Sequence, residues 1–296
     1  MSMHAEKLHA ISDDGRSDVK PLCARLNDIV VLATSSDPWS PAVTAGISLT
    51  ARWGGNLTSC YIEPSLRMVG GADMEPSVLG LLLQPHGEGG GERAAFAFHA
   101  HRFGVREAAW TVSHCGLVPT LRQLGAWHDL AVLERDMVEG AHVFDILGEA
   151  LLGSYMPCLV LPPQWDKEVA LDHVAVCWNG SIEGARAIHG ALPFLQAAGE
   201  VILIDGEKHT LDDTESSLPR LDPLSYLLRH KVAAKVRHIH APPHLAGEAL
   251  LQEARNMHAN LLVMGAYGHS RLHERVLRGA TRHILGHAHI PILMQH

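Results

Sequence analysis

The chain has 296 residues, about twice the length of an ordinary domain, so two domains are expected. Apolar residues make up 47% and charged residues 19%, which excludes intrinsic disorder, and a formal net charge of −8 argues against a nucleic-acid-binding protein. No apolar run approaches the ~20 residues of a membrane helix, and the polar stretch 1–28 carries no secretory h-region, so the sequence reads as soluble and cytoplasmic, with no membrane partner.

Five cysteines stand at Cys23, Cys60, Cys115, Cys158 and Cys177, none in a CxxC pair, and are read as reduced core residues. The 22 histidines mostly lie outside ligand spacing and are read as a partly solvated, pH-sensitive surface.

In chain order, a polar tail (1–27) precedes a short apolar run at 28–34 that ends in Ser35, Ser36 and Asp37. Such a run suits a strand buried on both faces. A helical pattern follows at 41–53, then strand-like runs at 57–62 and 108–112. Between these two runs lies an insert, 65–92, holding Gly70-Gly71 and the glycine-rich run 86–91. Its glycines lack the spacing of a GxGxxG or Walker loop, so it is read as a loop flanking a short helix at 77–83. The half ends with a run at 129–133 and with Pro157 leading Cys158, Leu159, Val160 and Leu161.

The second half repeats this plan. His173 opens an apolar run that ends at Asn179-Gly180-Ser181, and a helical pattern occupies 183–198. Runs at 201–204 and 236–239 follow, with a polar stretch, 206–220, where the first half has its insert. Asn260 opens the counterpart of 129–133, and Pro291 leads a final run of Ile292, Leu293 and Met294. Each half therefore has five strands and about four helices in βα alternation. The fold class is α/β: two doubly wound, five-stranded, Rossmann-like parallel-sheet domains in tandem, 28–163 and 171–296, meeting near Pro162-Pro163.

The most informative segment is Gly265-Ala266-Tyr267-Gly268-His269-Ser270-Arg271, running on to Arg278-Gly279-Ala280-Thr281-Arg282-His283. It follows a strand directly and leads into a helix expected over 280–285, with turns before it. Glycines there let the backbone approach a ligand without a Cβ in the way. Unpaired N–H groups at a helix start suit phosphate oxygens, and Ser270 and Thr281 add hydroxyl donors. Arg271, Arg275, Arg278 and Arg282 stand against one acid, Glu274, so the cluster points to a local anion site. In an open α/β sheet the ligand sits beyond the carboxyl ends of the strands, where the strand order reverses. With the first and fourth strands of this half as neighbours, Asn179-Gly180-Ser181 faces the glycine segment there, placing Asn179 to read a base edge or ribose. The alternative is a plain strand-to-helix turn that merely uses glycine.

This segment resembles the nucleotide loop of the universal stress protein family: Gly, two residues, Gly, nine residues, then Gly followed by a small residue. Gly265 and Gly268 match its first two positions. Arg278 stands where the family has its third glycine, and Gly279, Ala280 and Thr281 follow. The resemblance runs from about Asp28 to Met294, so the chain is similar to a tandem universal stress protein. It implies an adenine nucleotide, ATP or AMP, in the second domain, with contacts at Asn179, Gly265, Gly268, His269, Ser270, Gly279, Ala280 and Thr281. Arg278 either blocks the phosphate pocket or neutralises the phosphates as a charged fork. The family's base-contacting Asp is matched by Asn179 here, and Asp37 lies near that place in the first half. The resemblance also implies that the last strands of the two halves pair, making an intrachain pseudo-dimer; a homodimer is compatible with this ending.

After its fourth strand the first half reads Glu134-Arg135-Asp136-Met137-Val138-Glu139-Gly140. Three acids and one glycine repel phosphate, so one nucleotide site per chain is expected. No GxSxG elbow or HExxH helix is present, so the chain is read as a non-enzyme with at most slow, incidental ATP hydrolysis. His283 and His287 share a helix face, but no third ligand is fixed, and no metal is assigned. Two other readings remain. One is a tandem scaffold that binds a protein partner and no nucleotide; the other is a small-molecule sensor or enzyme using 65–92 as a lid.

Overall fold

The computed structural model describes residues 24–67, 90–138, 143–206, 222–266 and 274–296. The tail 1–23 with Cys23, the expected helix at 77–83 and most of the insert lie outside the described residues, as do 207–221 and the loop 267–273.

The first half runs β1 (Asp28–Ala33), α1 (Pro41–Trp53), β2 (Asn56–Ile62), α2 (Pro64–Arg67), α3 (Gly90–Arg102), β3 (Glu107–Ser113), α4 (Leu117–Leu124), β4 (Leu130–Glu134), a 3-10 turn (Arg135–Met137), α5 (Val143–Gly153) and β5 (Cys158–Leu161). The second half runs β6 (His173–Trp178), α6 (Ile182–Gly190), α7 (Leu192–Ala197), β7 (Glu200–Gly206), α8 (Pro223–Arg229) and β8 (Ala234–Ile239). It closes with a 3-10 turn (Pro243–Leu245), α9 (Ala246–Asn256), β9 (Leu261–Gly265), α10 (Glu274–His287) and β10 (Ile292–Gln295).

All ten strands form one sheet in the order β3-β2-β1-β4-β5-β10-β9-β6-β7-β8. Pairing is parallel within each half, and the halves join through the antiparallel pair β5–β10, with Val160 opposite Ile292 and Cys158 opposite Met294. The two end strands, each an apolar edge alone, cover one another. The outer rims are β3 and β8, and β8 carries Lys235, Arg237 and His238, charges that discourage further strand addition.

Successive strand residues point to opposite faces, and in the inner strands β1, β4, β5 and β9 both faces are buried, which is why those strands read as unbroken apolar runs. Ile29, Val31, Val174 and Val176 join one core cluster with Ala42 and Val43 of α1, Phe96 of α3, and Ile188 and Phe194 of α6 and α7. Val30, Leu32, Ala175 and Leu262 join the other with Leu121, Leu147, Leu251 and Ile284 from α4, α5, α9 and α10. Helices therefore cover both sides of each half. Trp53 meets Phe194 edge-on at 5.0 Å, one of several contacts between the halves. No helix among the described residues is long and apolar enough to cross a membrane.

Two expectations need correction. The single helix expected at 183–198 is broken at Ala191, because Pro193, in the first turn of α7, has no N–H to continue the ladder. The cysteines are not uniformly core residues. Burial pushes the Cys60, Cys158 and Cys177 thiols up to about 12. Cys115, however, is exposed in the turn between β3 and α4, where its backbone N–H donates to Ser113 Oγ at 3.1 Å.

Candidate functional site

The strand order places β6 beside β9, with Val174 opposite Leu261 and Val176 opposite Val263. Asn179 and Gly265 therefore leave the sheet at the same edge, the carboxyl end, on neighbouring strands. This is the point in the second half where the chain winds off in opposite directions.

The loop after β6 is a compact cap. Asn179 Oδ1 accepts from the Ser181 N–H at 3.1 Å, and Gly180 adopts φ +79°, a left-handed turn that a side chain would strain. Ser181 is the N-cap of α6, and its Oγ accepts from the Gly184 N–H at 3.0 Å. Asn179 is exposed, and among the described residues its Nδ2 makes no hydrogen bond, which leaves two amide donors available. Trp178, the last residue of β6, is only 6% exposed.

Gly265 has a packing reason to be glycine. A Cβ there would stand 2.6 Å from Gly184 N, 2.7 Å from Glu183 C and 3.0 Å from Glu183 Cβ. The end of β9 thus touches the first turn of α6, and Glu183, itself 4% exposed, is buried at that contact. Sequence reasoning passed over Glu183, because an acid in a first helical turn is ordinary in itself. Ala266 is held on both sides: its N–H donates to Gln295 O at 2.8 Å, and His296 Nδ1 pairs with its carbonyl at 2.9 Å. The chain's last two residues thereby fix where the glycine segment departs. Nothing in the sequence spacing singled them out.

The remaining candidates divide. Gly268, His269 and Ser270 lie outside the described residues, as does the side chain of Arg278. The helix expected over 280–285 runs from Glu274 to His287, so its first four N–H groups precede Gly279. Gly279 is exposed, and among the described residues nothing lies within 4 Å of where its Cβ would be. Ala280 instead backs onto α9, its carbonyl 2.9 Å from the Cβ position of Gly247, and Thr281 is 4% exposed. The structure therefore brings Asn179 and Gly265 together and sets Ala280 and Thr281 into a helix packed on its neighbour. His283 and His287 stack at 4.2 Å, and His287 Nδ1 pairs with the His283 carbonyl. Among the described residues no three His, Cys, Asp or Glu side chains gather as metal ligands.

The matching place in the first half is built differently. Glu134 ends β4, is 7% exposed, and accepts hydrogen bonds from Thr34 Oγ1 (3.1 and 3.2 Å) and from the Ala42 N–H of α1 (3.2 Å). Burial holds its carboxyl above the ordinary glutamate range, and nearby Asp136 pushes the same way. The bonds from Ala42, Thr34 and Ser40 pull against that rise.

Residues 171–296 match the model of the universal stress protein family. The universal stress protein match thus covers the half that carries Asn179 and Gly265. Among curated proteins, none matches this chain. Solved structures extend the likeness of fold to both halves. A universal stress protein from Archaeoglobus fulgidus is 13% identical, covering 90% of this chain and 95% of its own, with a TM-score of 0.59. A putative universal stress protein from Pseudomonas aeruginosa UCBPP-PA14 is 11% identical over 91% of this chain and 93% of its own, with a TM-score of 0.56. A functionally unknown protein from Pseudomonas aeruginosa PAO1 is 10% identical over 91% and 92%, also at 0.56. At these identities the likeness is one of architecture.

Proposed function

We propose that this chain is a tandem universal stress protein that binds one adenine nucleotide, ATP or AMP, in its second half and acts as a stress-response regulator. The observation that carries the reading is the meeting of Asn179 and Gly265 at the carboxyl ends of β6 and β9, within the half that matches the family. Ligands of open α/β sheets bind at that place. Asn179 there offers a carboxamide to the base or ribose. Gly265 to Ser270, followed by Arg278 and Gly279, supplies main-chain donors and a guanidinium for the phosphates. In this reading Asn179, the glycines and Arg278 bind and position the nucleotide, and its turnover is slow and incidental. In this reading the protein works in the cytoplasm, and nucleotide occupancy alters the surface offered to a protein partner.

Isothermal titration with ATP tests the proposal. One site per chain is expected; absence of heat at millimolar nucleotide overturns it. A specific observation favours a second reading, a scaffold without nucleotide: packing against α6 already accounts for Gly265 being glycine. On that reading Gly268→Val leaves function in cells unchanged, whereas nucleotide binding requires that it be impaired.

A further inference from the structure

The ends of β4 and β9 correspond residue for residue. Leu130 lies opposite Ile29 of β1, and Leu261 lies opposite Val174 of β6, so Glu134 and Gly265 occupy equivalent places. In the second half that place is bare and the adjoining helix caps itself, Ser181 accepting from Gly184 N–H. In the first half the adjoining helix does not. Ser40, the N-cap of α1, makes no side-chain cap bond; its Oγ accepts from Thr34 N–H at 3.3 Å. Pro41 brings no N–H, so Ala42 offers the first donor of this 13-residue helix, and Glu134 Oε1 takes it at 3.2 Å. The carboxylate reaches this donor from across the crevice, 92 positions along the chain. The Thr34 hydroxyl, at the end of β1, donates to the same group.

We propose that Glu134 is a built-in ligand that shuts the first-half crevice, its carboxylate taking the Ala42 N–H at the start of α1 and the Thr34 hydroxyl beside it, the donors that an incoming oxyanion would need. The contact is autoinhibitory in the structural sense: carboxylates and phosphates are excluded because the chain has supplied one of its own. It stands whether or not the second half binds nucleotide, since every group involved belongs to the first half.

Glu134→Gly removes from the crevice the atoms of one propionate, which makes propionate the probe. The variant is expected to melt roughly 3–6 °C below the unaltered protein. Sodium propionate should then recover at least half of that loss, with little effect on the unaltered protein, while sodium chloride at equal ionic strength recovers none. Propionate shifting both proteins alike, or a variant that melts with the parent, overturns the proposal. Should Glu134→Gly not fold, the conservative Glu134→Gln is read by the amide resonance of Ala42. That resonance should follow the titration of Glu134 in the unaltered protein and lose its pH dependence in the variant; a pH-independent Ala42 amide in the unaltered protein overturns the proposal.

Discussion

Two glycines of the candidate site make opposite predictions when given a methyl group. At Gly265 the added carbon would stand 2.6 Å from Gly184 N and 2.7 Å from Glu183 C, both backbone atoms of α6. Carbon contacts are comfortable at about 3.5–4.0 Å, so α6 must retreat by roughly 1 Å. Its inner face carries Ala187 and Ile188, each 2% exposed, and that packing would loosen with the shift. Overpacking of this kind costs about 1–3 kcal/mol. At roughly 2 °C per kcal/mol for a chain of this size, Gly265→Ala should melt about 2–6 °C low. Gly279 is the control. It lies inside α10, with nothing among the described residues within 4 Å of its Cβ position. Alanine there should stabilise by ~1 kcal/mol through helix propensity, raising the melting temperature about 2 °C. Differential scanning calorimetry, with urea unfolding as a check, reads both. A Gly265→Ala protein that melts with the parent, or a Gly279→Ala protein that melts below it, refutes the close-packing account. Nucleotide titration of the same two proteins separates fold from ligand, because a phosphate site at Gly279 would be weakened in a variant that is more stable.

Two further predictions concern Glu134, which ends β4, and Arg135, which follows it. The carboxyl of Glu134 is raised in the folded protein, so the native state holds more protons than the unfolded state as pH climbs above 4.5. Its contribution to stability is complete below that value and declines as pH passes through the raised folded pKa. Urea unfolding at a series of pH values should show this decline in the parent and its flattening in Glu134→Gln; an unchanged slope contradicts the assignment. Arg135 Nη1 donates to Leu285 O at 2.5 Å and to Ala288 O at 3.3 Å, closing the end of α10 from the other half of the molecule. Arg135→Ala should cost ~1–2 kcal/mol and quicken amide hydrogen exchange around 284–288, leaving β1 and β2 protected. Equal exchange in both proteins would show that α10 needs no such tie.

Much of the architecture is legible because the inner strands are buried on both faces. The runs at 28–34 and 173–178 could not be amphipathic surface strands, and β1 and β6 stand there. Pro41 and the left-handed Gly54 bound α1 at the residues where the pattern begins and ends. The apolar spacing runs straight through the break at Ala191, and only the proline two positions later registers the lost donor. At the site, the spacing located Asn179 and Gly265 but gave no reason for Gly265 other than ligand approach. The contact with Glu183 and Gly184 depends on how closely α6 settles onto β9, which no local pattern encodes. In the sequence Glu134 is only a charge that repels phosphate. Its bonds to Thr34 and Ala42, 100 and 92 positions away, exist only once β1 and β4 lie side by side.

The antiparallel seam between β5 and β10 carries a consequence for how such a chain can change. Two identical subunits meeting through that seam must alter both crevices with every substitution. Here each lobe always faces the other and never a replica of itself, so its residues drift independently. A carboxylate at the tip of one central strand and a bare backbone at the tip of its twin are the kind of asymmetry that a covalent union permits and that a symmetric dimer of one gene product forbids.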